Sequence, residues 1–392
     1  MSHDPIPEEA LAHSARLRGH IHREIAAAGG AIPFWRFMEL ALYAPGLGYY
    51  SAGAAKFGAA GDFVTAPELG PLFAECVAGA LAPVLRQLGP GATLLEVGGG
   101  SGAFARDALA HLAELDALPA GYAILEPSAD LRERQRHLLQ SQLPPELSAR
   151  VAWLDRPIGD AWDGVLFANE VLDALPTPRF AIRDGEVMEE HVVSDGEGFA
   201  TVDRPADALL AAAVRHVERQ LDAPFPDGYR SELLPQLPYW VQAVAGGLRN
   251  GAMLFIDYGH PRREYYDPRR RDGTLRAFHR HRMVGDVFAR VGLQDITASV
   301  DFTALAEAGT AAGFDFSGYV TQAGFLIGNG LERRLQAHEA RAAGEAARYA
   351  LRQQAKTLTL PGAMGERFQA MGFARGVDFD AAFLVGDLSF RL

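Results

Sequence analysis

Glu96 and the four glycines that fall within the next six residues form the stretch of this chain best suited to binding a ligand. Because glycine has no Cβ atom, it reaches backbone conformations closed to other residues and lets the backbone approach a ligand at a helix N-terminus. Gly98, Gly100 and Ala103 fit the glycine spacing of dinucleotide-binding folds. Glu96, Gly98, Gly100 and Gly102 also fit the acidic-x-G-x-G-x-G spacing of folds that bind S-adenosylmethionine. The motif predicts a nucleotide-containing cofactor and leaves NAD and S-adenosylmethionine open.

Acidic and amide side chains end the next three apolar runs of the chain. Glu126 ends the first run, where such folds bind both ribose hydroxyls; a helix-capping acid is the alternative. Asp155 ends the second and is expected either to meet the adenine amino group or to start a turn. Asn169, Glu170 and Asp173 follow the third, and we expect them at the cofactor crevice because ligands bind at the carboxyl ends of parallel strands. For Asn169 and Asp173, capping of the following helix is an alternative.

The spacing of apolar runs predicts an α/β fold with a doubly wound, mostly parallel Rossmann-like sheet. The strands expected in it are residues 94–97, 122–126, 151–155, 164–168, 252–259, 293–302 and 383–386. Helical segments are expected at the N-terminus (8–28 and 34–43) and at 103–113, 129–139, 303–312 and 331–358. Alternating apolar and polar residues at 180–202 predict an inserted β-meander.

These elements predict a chain organised in four parts. Residues 1–90 hold N-terminal helices and a glycine-rich loop, and residues 91–178 form the first part of the cofactor-binding core. Residues 179–250 form an inserted subdomain for a substrate or partner, and residues 251–392 complete the core sheet and add C-terminal helices.

The glycine-rich loop at 53–68 carries the polar residues Lys56, Asp62, Thr65 and Glu68. One interpretation is a mobile lid over the site, with Thr65 among the cofactor contacts. The other is a surface connection whose polar groups cap the next helix.

Composition limits the class of protein. Over 392 residues the formal net charge is -12, which argues against a general nucleic-acid binder. The basic segment at 261–282 indicates either an anionic partner surface or a solvated loop held by local ion pairs. Cys76 is the one cysteine, so no internal disulfide forms, and its apolar neighbours indicate a core residue. With no apolar run of about 18–20 residues and no histidine at metal-ligand spacing, we expect a cytoplasmic protein without a membrane span or a metal.

Six separated segments of the chain together resemble a known family, over residues 32 to 325. They are residues 34–51, GDFVTAPE at 61–68, LEVGGGSG at 95–102, ANEVLDALP at 168–176, IDYG at 256–259 and LQDITA at 293–298. They resemble the MidA family of class I S-adenosylmethionine-dependent methyltransferases. This resemblance favours S-adenosylmethionine over NAD, because it rests on many segments and not on the glycine motif alone.

The resemblance implies a protein-arginine methyltransferase that modifies a subunit of respiratory complex I and assists its assembly. A carboxylate can hold the protonated guanidinium bidentately and localise its charge away from the attacking nitrogen. We expect Glu170 to do this, with Asp173 and Glu68 as further catalytic candidates. The expected cofactor contacts are Thr65, Glu96, Gly98, Gly100, Gly102, Glu126, Asp155 and Asn169.

Other functions stay open beside this one. The alternative from a different class is an S-adenosylmethionine-binding assembly factor that acts mainly by docking on a protein partner, with weak or no catalysis. Glu96 disfavours an NAD-dependent oxidoreductase. The sequence NEVL at 169–172 disfavours a methyltransferase that acts on nucleic-acid bases, because such enzymes commonly have Asp or Asn followed by Pro-Pro-Tyr at this position. The oligomeric state stays open, with a homodimer among the alternatives.

Overall fold

The computed structural model describes residues 6–51, 65–280 and 282–392. Its α-helices, in chain order, are α1 (Glu8–Ala27), α2 (Phe34–Tyr43), α3 (Pro71–Leu88), α4 (Ala103–Glu114), α5 (Ala129–Gln142), α6 (Pro145–Ser148), α7 (Ala208–Glu218), α8 (Leu237–Ala245), α9 (Arg262–Tyr265), α10 (Phe302–Ala311), α11 (Gln322–Gly328), α12 (Leu331–Arg341) and α13 (Glu345–Thr359). Its β-strands are β1 (Ile32–Pro33), β2 (Thr93–Val97), β3 (Gly121–Leu125), β4 (Val151–Leu154), β5 (Trp162–Asn169), β6 (Arg179–Arg183), β7 (Glu186–Asp195), β8 (Gly198–Pro205), β9 (Arg230–Glu232), β10 (Leu248–His260), β11 (Arg276–His279), β12 (Arg282–Val284), β13 (Asp295–Thr297), β14 (Val300–Asp301), β15 (Asp315–Thr321) and β16 (Phe368–Arg375). Short 3-10 helices are Tyr49–Ser51, Ala66–Leu69, Asp380–Phe383 and Ser389–Arg391.

The chain divides into two compact units. The first contains the described residues of Met1–Phe63, with Asp173–Pro235 and Arg263–Ser299. The second contains the described residues of Val64–Leu172, with Gln236–Arg262 and Val300–Leu392. Of the expected inserted subdomain at 179–250, residues 179–235 belong to the first unit and residues 236–250 to the second. Each unit is therefore assembled from segments that are distant in sequence.

The second unit is built on a sheet with the strand order β4-β3-β2-β5-β10-β16-β15, and β14 pairs beside β10. The five strands from β4 to β10 are parallel; Leu95 of β2, for example, lies between Ala123 of β3 and Leu166 of β5. Only β16 in this order runs antiparallel to its neighbours β10 and β15. This topology confirms the predicted α/β, mostly parallel fold.

Helices cover both faces of this sheet, which makes it doubly wound. On one face, Phe167 of β5 packs its ring 4.2 Å from the ring of Phe104 in α4, inside an apolar core that also contains Leu254 of β10. On the other face, Phe255 of β10 lies with its ring 6.4 Å from that of Trp240 in α8. Adjacent residues of a strand point to opposite faces, so a strand buried on both sides reads as a continuous apolar run.

The strand predicted at 293–302 is only partly confirmed, because β14 joins the main sheet beside β10 whereas β13 pairs with β11 in another sheet, and the strand predicted at 383–386 is wrong. Residues 293–302 divide into β13 and β14, and Asp301 then caps α10, its side chain accepting a hydrogen bond from the Ala304 backbone N–H (3.1 Å). Residues 383–386 form no strand, because Phe383 ends a 3-10 helix and lays its ring over Gly372, where a Cβ atom would lie 2.2 Å from a ring carbon. The sheet is completed instead by β15 and β16.

The first unit combines α1 and α2 with two antiparallel sheets. One sheet has the order β1-β7-β6-β9, with β8 also paired to β7, and the other has the order β12-β11-β13. Strands β6, β7 and β8 confirm the predicted β-meander. Asp184 and Gly185, which join β6 to β7, have φ of 51° and 78°, as a two-residue type I′ hairpin turn requires.

Two smaller expectations concern the helices. Cys76 lies buried in α3, as predicted for a core residue. Among the described helices, none has the length and apolar character needed to cross a lipid bilayer.

Candidate functional site

The four-glycine segment forms a tight turn between β2 and α4, in the second unit. Gly98 and Gly100 have φ of 70° and 52°, in the left-handed region that favours glycine. The Gly98 N–H donates to the carbonyl oxygen of Leu125 at the end of β3 (3.0 Å). A Cβ atom on Gly98 would lie 2.9 Å from Cγ2 of Val171. The glycines are therefore required by backbone conformation and by close packing.

Glu96 is buried beneath this turn. It is 3% exposed, and the Tyr122 hydroxyl donates a 2.8 Å hydrogen bond to its Oε2. Burial raises the pKa of Glu96 to about 7, against the opposing effect of the Tyr122 hydrogen bond. The structure thus gives Glu96 a partner inside the fold, and its contact with a cofactor stays a prediction.

Glu126 follows β3 directly and is held in place by three neighbours. Its Oε1 accepts a hydrogen bond from the Ser128 N–H (3.0 Å), and its Oε2 accepts one from Nε2 of Gln135 (3.4 Å). Arg132 donates to its carbonyl oxygen (2.9 Å). Burial raises the pKa of Glu126 to about 7, although these hydrogen bonds oppose the shift. A carboxylate fixed at the end of β3 can accept from two neighbouring hydroxyls.

Gln135 is a residue of this region that the sequence did not single out. Its Nε2 donates to the carbonyl oxygen of Gly100 (2.9 Å), and its Oε1 accepts from Nε1 of Trp153 in β4 (2.8 Å). Gln135 lies between Leu131 and Leu139 on the buried face of α5, at four-residue spacing. A polar side chain in an otherwise apolar helix stripe is the signal that could have identified it.

Asn169 and Glu170 end β5 in an unusual backbone conformation. Glu170 has φ of +53°, which is uncommon for a residue with a side chain, and its N–H donates to the carbonyl oxygen of Ile256 (2.9 Å). Nδ2 of Asn169 donates to Oε1 of Glu170 (3.1 Å). Within the described ranges, the buried Oδ1 of Asn169 has no hydrogen-bond partner. Such strain is concentrated at functional sites when the surrounding structure holds it in place.

Asp257 of β10 is the group that holds this segment. It is 1% exposed, and its Oδ2 accepts hydrogen bonds from the backbone N–H groups of Val171 (3.2 Å) and Leu172 (3.0 Å). Because these two residues follow Glu170 directly, the buried carboxylate determines the path of the chain after β5. Asp257 belongs to the segment IDYG at 256–259, whose sequence alone predicts no role for this residue.

Glu68 lies beside the glycine turn. The Ser101 hydroxyl donates a short hydrogen bond to Oε1 of Glu68. Thr65 precedes the 3-10 helix that carries Glu68, and its carbonyl oxygen accepts from the Glu68 N–H (3.0 Å). Lys56 and Asp62 lie outside the described residues, as does most of the predicted lid.

The two remaining candidates are Asp155 and Asp173. Asp155 is exposed and follows β4. Asp173 belongs to the first unit, where it is 5% exposed and its carbonyl oxygen accepts from the Ala298 N–H (2.9 Å). The second unit therefore brings together Glu68, Glu96, Glu126 and the glycine turn, and it contains Asn169 and Glu170 at the end of β5.

Three arginines of the basic segment bind partners within the chain. Arg262 is buried, and its two terminal nitrogens each donate to a carboxylate oxygen of Glu307 (2.7 Å). Arg269 pairs with Asp267 (2.6 Å), and Arg270 donates to two backbone carbonyls. All three guanidinium groups therefore have partners within the chain.

Comparison with known proteins identifies the family. The family model described as "Putative S-adenosyl-L-methionine-dependent methyltransferase" matches residues 76–320. The Drosophila melanogaster protein named "Protein arginine methyltransferase NDUFAF7 homolog, mitochondrial" is 30% identical, over 95% of this chain and 90% of its own length. The mitochondrial protein arginine methyltransferase NDUFAF7 of Mus musculus is 29% identical, over 92% of this chain and 85% of its own.

A solved structure agrees with these sequence matches. A Burkholderia thailandensis protein bound to S-adenosyl-homocysteine is 41% identical to this chain, with a TM-score of 0.90 and complete coverage of both chains. S-adenosyl-homocysteine is what remains of S-adenosyl-L-methionine after its methyl group has been transferred, so S-adenosyl-L-methionine is the cofactor of this protein. The chain belongs to the MidA-like family of S-adenosyl-L-methionine-dependent methyltransferases.

Proposed function

We propose that this protein methylates an arginine side chain of a protein substrate, a subunit of respiratory complex I, and that it assists complex I assembly in the cytoplasm. The observation that carries the proposal is the Glu170 carboxylate, held at the carboxyl end of β5 in a strained backbone conformation by Asp257. The names of the curated relatives, which are protein arginine methyltransferases, support the same substrate class.

Three features of the second unit fit the cofactor. The glycine turn presents backbone N–H groups at the N-terminus of α4, and Glu126 offers a fixed carboxylate for the ribose hydroxyls. The buried Oδ1 of Asn169, which lacks a partner within the described ranges, is an acceptor that a bound cofactor can satisfy. We assign the remaining cofactor contacts to Thr65, Glu96, Gly98, Gly100, Gly102 and Asp155.

The chemistry asked of this chain is mainly positioning. When bound, S-adenosyl-L-methionine supplies an electrophilic methyl group on a positively charged sulfur. An arginine guanidinium is protonated in water, since its pKa exceeds about 12. Glu170 can hold the guanidinium through two parallel N–H···O bonds, which orients one nitrogen for attack and localises the positive charge on the others. Asp173 and Glu68 are further candidates for this role.

The proposal is tested by incubating the full chain with isotope-labelled S-adenosyl-L-methionine and purified complex I subunits, followed by mass spectrometry of labelled peptides. We expect label on an arginine. Glu170→Gln should lower the rate on the order of 100-fold, as for loss of substrate orientation, while cofactor affinity by calorimetry stays within a few-fold. Glu146→Gln, the same change at an exposed site, is the matched control.

The outcomes separate the two classes of function. If Glu170→Gln methylates arginine at the wild-type rate, Glu170 has no part in the mechanism. Cofactor binding without any labelled arginine in the wild-type reactions would overturn the enzymatic proposal and favour the assembly factor that acts by docking.

A further inference from the structure

Gln135 of α5 connects the glycine turn, the end of β3 and strand β4, all within the second unit. Its side chain is completely buried, with a relative exposure of 0%. Its Nε2 donates to the Gly100 carbonyl oxygen (2.9 Å) and to Oε2 of Glu126 (3.4 Å). Its Oε1 accepts from Nε1 of Trp153 (2.8 Å). One buried amide therefore joins three segments of the chain.

The partners of this amide determine its orientation. The indole of Trp153 is only a donor, so the atom that faces it must be the amide oxygen. The Gly100 carbonyl and the ionised Glu126 carboxylate are acceptors, so the atom that faces them must be the amide nitrogen with its two N–H groups. Rotating the amide by 180° would place donor against donor and acceptor against acceptor. All three neighbours thus hold the amide in the same orientation.

Close packing limits the movement of this amide further. The guanidinium carbon of Arg136 lies 4.8 Å from the centroid of the Trp153 ring, a cation–π contact that holds the indole against α5. At the turn, a Cβ atom on Gly99 would lie 3.2 Å from Nε2 of Gln135. The lack of a side chain at Gly99 therefore lets the turn approach α5 closely enough for the Gly100 hydrogen bond.

Gln135 sets the orientation of the peptide group between Gly100 and Ser101. This peptide is planar and trans, so its carbonyl and its N–H point in opposite directions. Because the carbonyl is directed at Gln135, the Ser101 N–H is directed away from α5. The peptide lies just before α4, at a helix N-terminus where backbone N–H groups can bind an anionic group of a ligand.

The same amide also holds the carboxylate of Glu126. Oε1 of Glu126 accepts from the Ser128 N–H and Oε2 accepts from Gln135, so both oxygens are held at once. A carboxylate offers about four acceptor positions on its two oxygens. Within the described ranges, these two hydrogen bonds use one position on each oxygen, which leaves one on each for a neighbouring hydroxyl.

We propose that Gln135 is a positioning residue for the cofactor, which holds the Gly100 peptide and the Glu126 carboxylate in the arrangement that binds S-adenosyl-L-methionine. It acts through these two groups and keeps them in place before the cofactor binds, which lowers the entropic cost of ordering them. This inference rests on the proposed assignment of the glycine turn and Glu126 to the cofactor. It adds Gln135 and Trp153 to the residues on which cofactor affinity depends.

The test measures, by calorimetry, the affinity of the full chain for two ligands. One is S-adenosyl-homocysteine, and the other is its analogue in which both ribose hydroxyls are replaced by hydrogen. We expect the wild type to bind S-adenosyl-homocysteine at least about tenfold more tightly than the analogue, because the analogue cannot donate hydrogen bonds to Glu126.

Gln135→Met keeps the size of the side chain but removes its three hydrogen bonds. It should weaken binding of S-adenosyl-homocysteine about tenfold and binding of the analogue no more than about threefold, because the position of Glu126 matters only when the hydroxyls are present. Gln140→Met, the same change at an exposed position of α5, is the matched control and should alter neither affinity.

Trp153→Phe removes one of the three partners of the amide. It should weaken binding of S-adenosyl-homocysteine about two- to threefold and leave binding of the analogue unaltered. The melting temperature shows whether each variant is folded. If Gln135→Met fails to fold, Trp153→Phe carries the test.

The outcomes distinguish this inference from the proposed function. If folded variants bind S-adenosyl-homocysteine like the wild type, or lose affinity for both ligands equally, the inference is overturned and the cofactor assignment stands. If the wild type binds both ligands equally, the assignment of Glu126 to the ribose fails, and the inference fails with it. If the variants show the expected losses but the isotope-labelling experiment finds no methylated arginine, the proposed function fails and this inference stands.

Discussion

Glu126 after β3 and Glu170 after β5 occupy comparable positions at the carboxyl ends of parallel strands, yet the fold holds them differently. Glu126 is held by its own carboxylate, which accepts hydrogen bonds from Ser128 and Gln135. Glu170 is held mainly through the backbone, because Asp257 binds the N–H groups of the two residues that follow it, while its carboxylate also accepts a hydrogen bond from Nδ2 of Asn169 (3.1 Å). The first arrangement fixes acceptor atoms, and the second fixes the point from which a side chain projects.

This difference matches the two tasks of a methyltransferase. Binding a cofactor requires complementary acceptors and a closely packed backbone, and the end of β3 beside the glycine turn provides both. Orienting a nucleophile requires a carboxylate that can adjust to the substrate while its attachment point stays fixed. The following variants change one arrangement at a time. Each should affect either the cofactor side, which is Glu126 with the glycine turn, or the β5 side, which is Glu170 with Asp257.

The largest effect is expected for Asp257→Ala, which removes the support of the β5 side. The backbone N–H groups of Val171, Leu172 and Tyr258 lose their acceptor. Each loss costs about 1–3 kcal/mol when the group stays buried, so we expect the free energy of unfolding to fall by about 3 kcal/mol or more. Urea titration measures it, with the exposed Asp160→Ala as control. Unaltered stability would show that other groups hold the segment after β5.

Gly100→Val should affect the cofactor side. Its φ of 52° costs a non-glycine residue about 1–2 kcal/mol, and loss of backbone contacts adds to this, so cofactor affinity should fall on the order of 100-fold. Calorimetry with S-adenosyl-L-methionine measures the change. Gly91→Val is the matched control, since a Cβ atom there meets nothing within 4 Å. Normal affinity in Gly100→Val would contradict the assignment of the turn to the cofactor.

The smallest effect concerns protonation of Glu126. Burial raises its pKa to about 7, so the carboxylate is mostly ionised at pH 8 and mostly protonated at pH 6. If the ionised form accepts the ribose hydroxyls, cofactor affinity should fall by up to about tenfold between pH 8 and pH 6. The raised pKa of Glu126 has the opposite effect on folding. The protonated carboxyl group favours the folded state, and this contribution to the free energy of unfolding is lost as the pH rises through about 7.

Glu126→Gln is the control for this titration. It should bind the cofactor weakly, and its affinity should depend less on pH than that of the wild type. Some dependence on pH should remain, because Glu96 is still present and burial raises its pKa to about 7 as well. An identical pH profile for the variant and the wild type would remove Glu126 from the ribose site.

Local patterns account for the parts of the site that sequence reasoning predicted. Consecutive glycines after an apolar run determine a tight turn, because their backbone preferences act within a few residues. Glu126, Asn169 and Glu170 were placed at strand ends because an apolar run stops where the strand leaves the core. The β6–β7 hairpin follows from Asp184-Gly185 for the same local reason.

Non-local contacts account for what was missed. Gln135 and Asp257 act on backbone atoms 35 and 85 or more residues away, and the sequence around each residue does not show which distant atoms it will meet. The run at 293–302 has the composition of a strand, but its pairing with β11 and β10 depends on which strand edges are near once the chain has folded. Strand pairing is decided by such edges and not by propensity alone.

The amino-acid sequence by itself determined the α/β class, the glycine turn, the acidic ends of β3 and β5 and the family of the protein. These features depend on short-range backbone preferences or on many motifs read together. The tertiary structure decided that Asp257 supports Glu170, that Gln135 donates to the glycine turn, and that the Tyr50 hydroxyl donates to Asp295. The physical reason is that a buried polar group acquires its role from the partners that satisfy it, and folding brings those partners from distant parts of the chain.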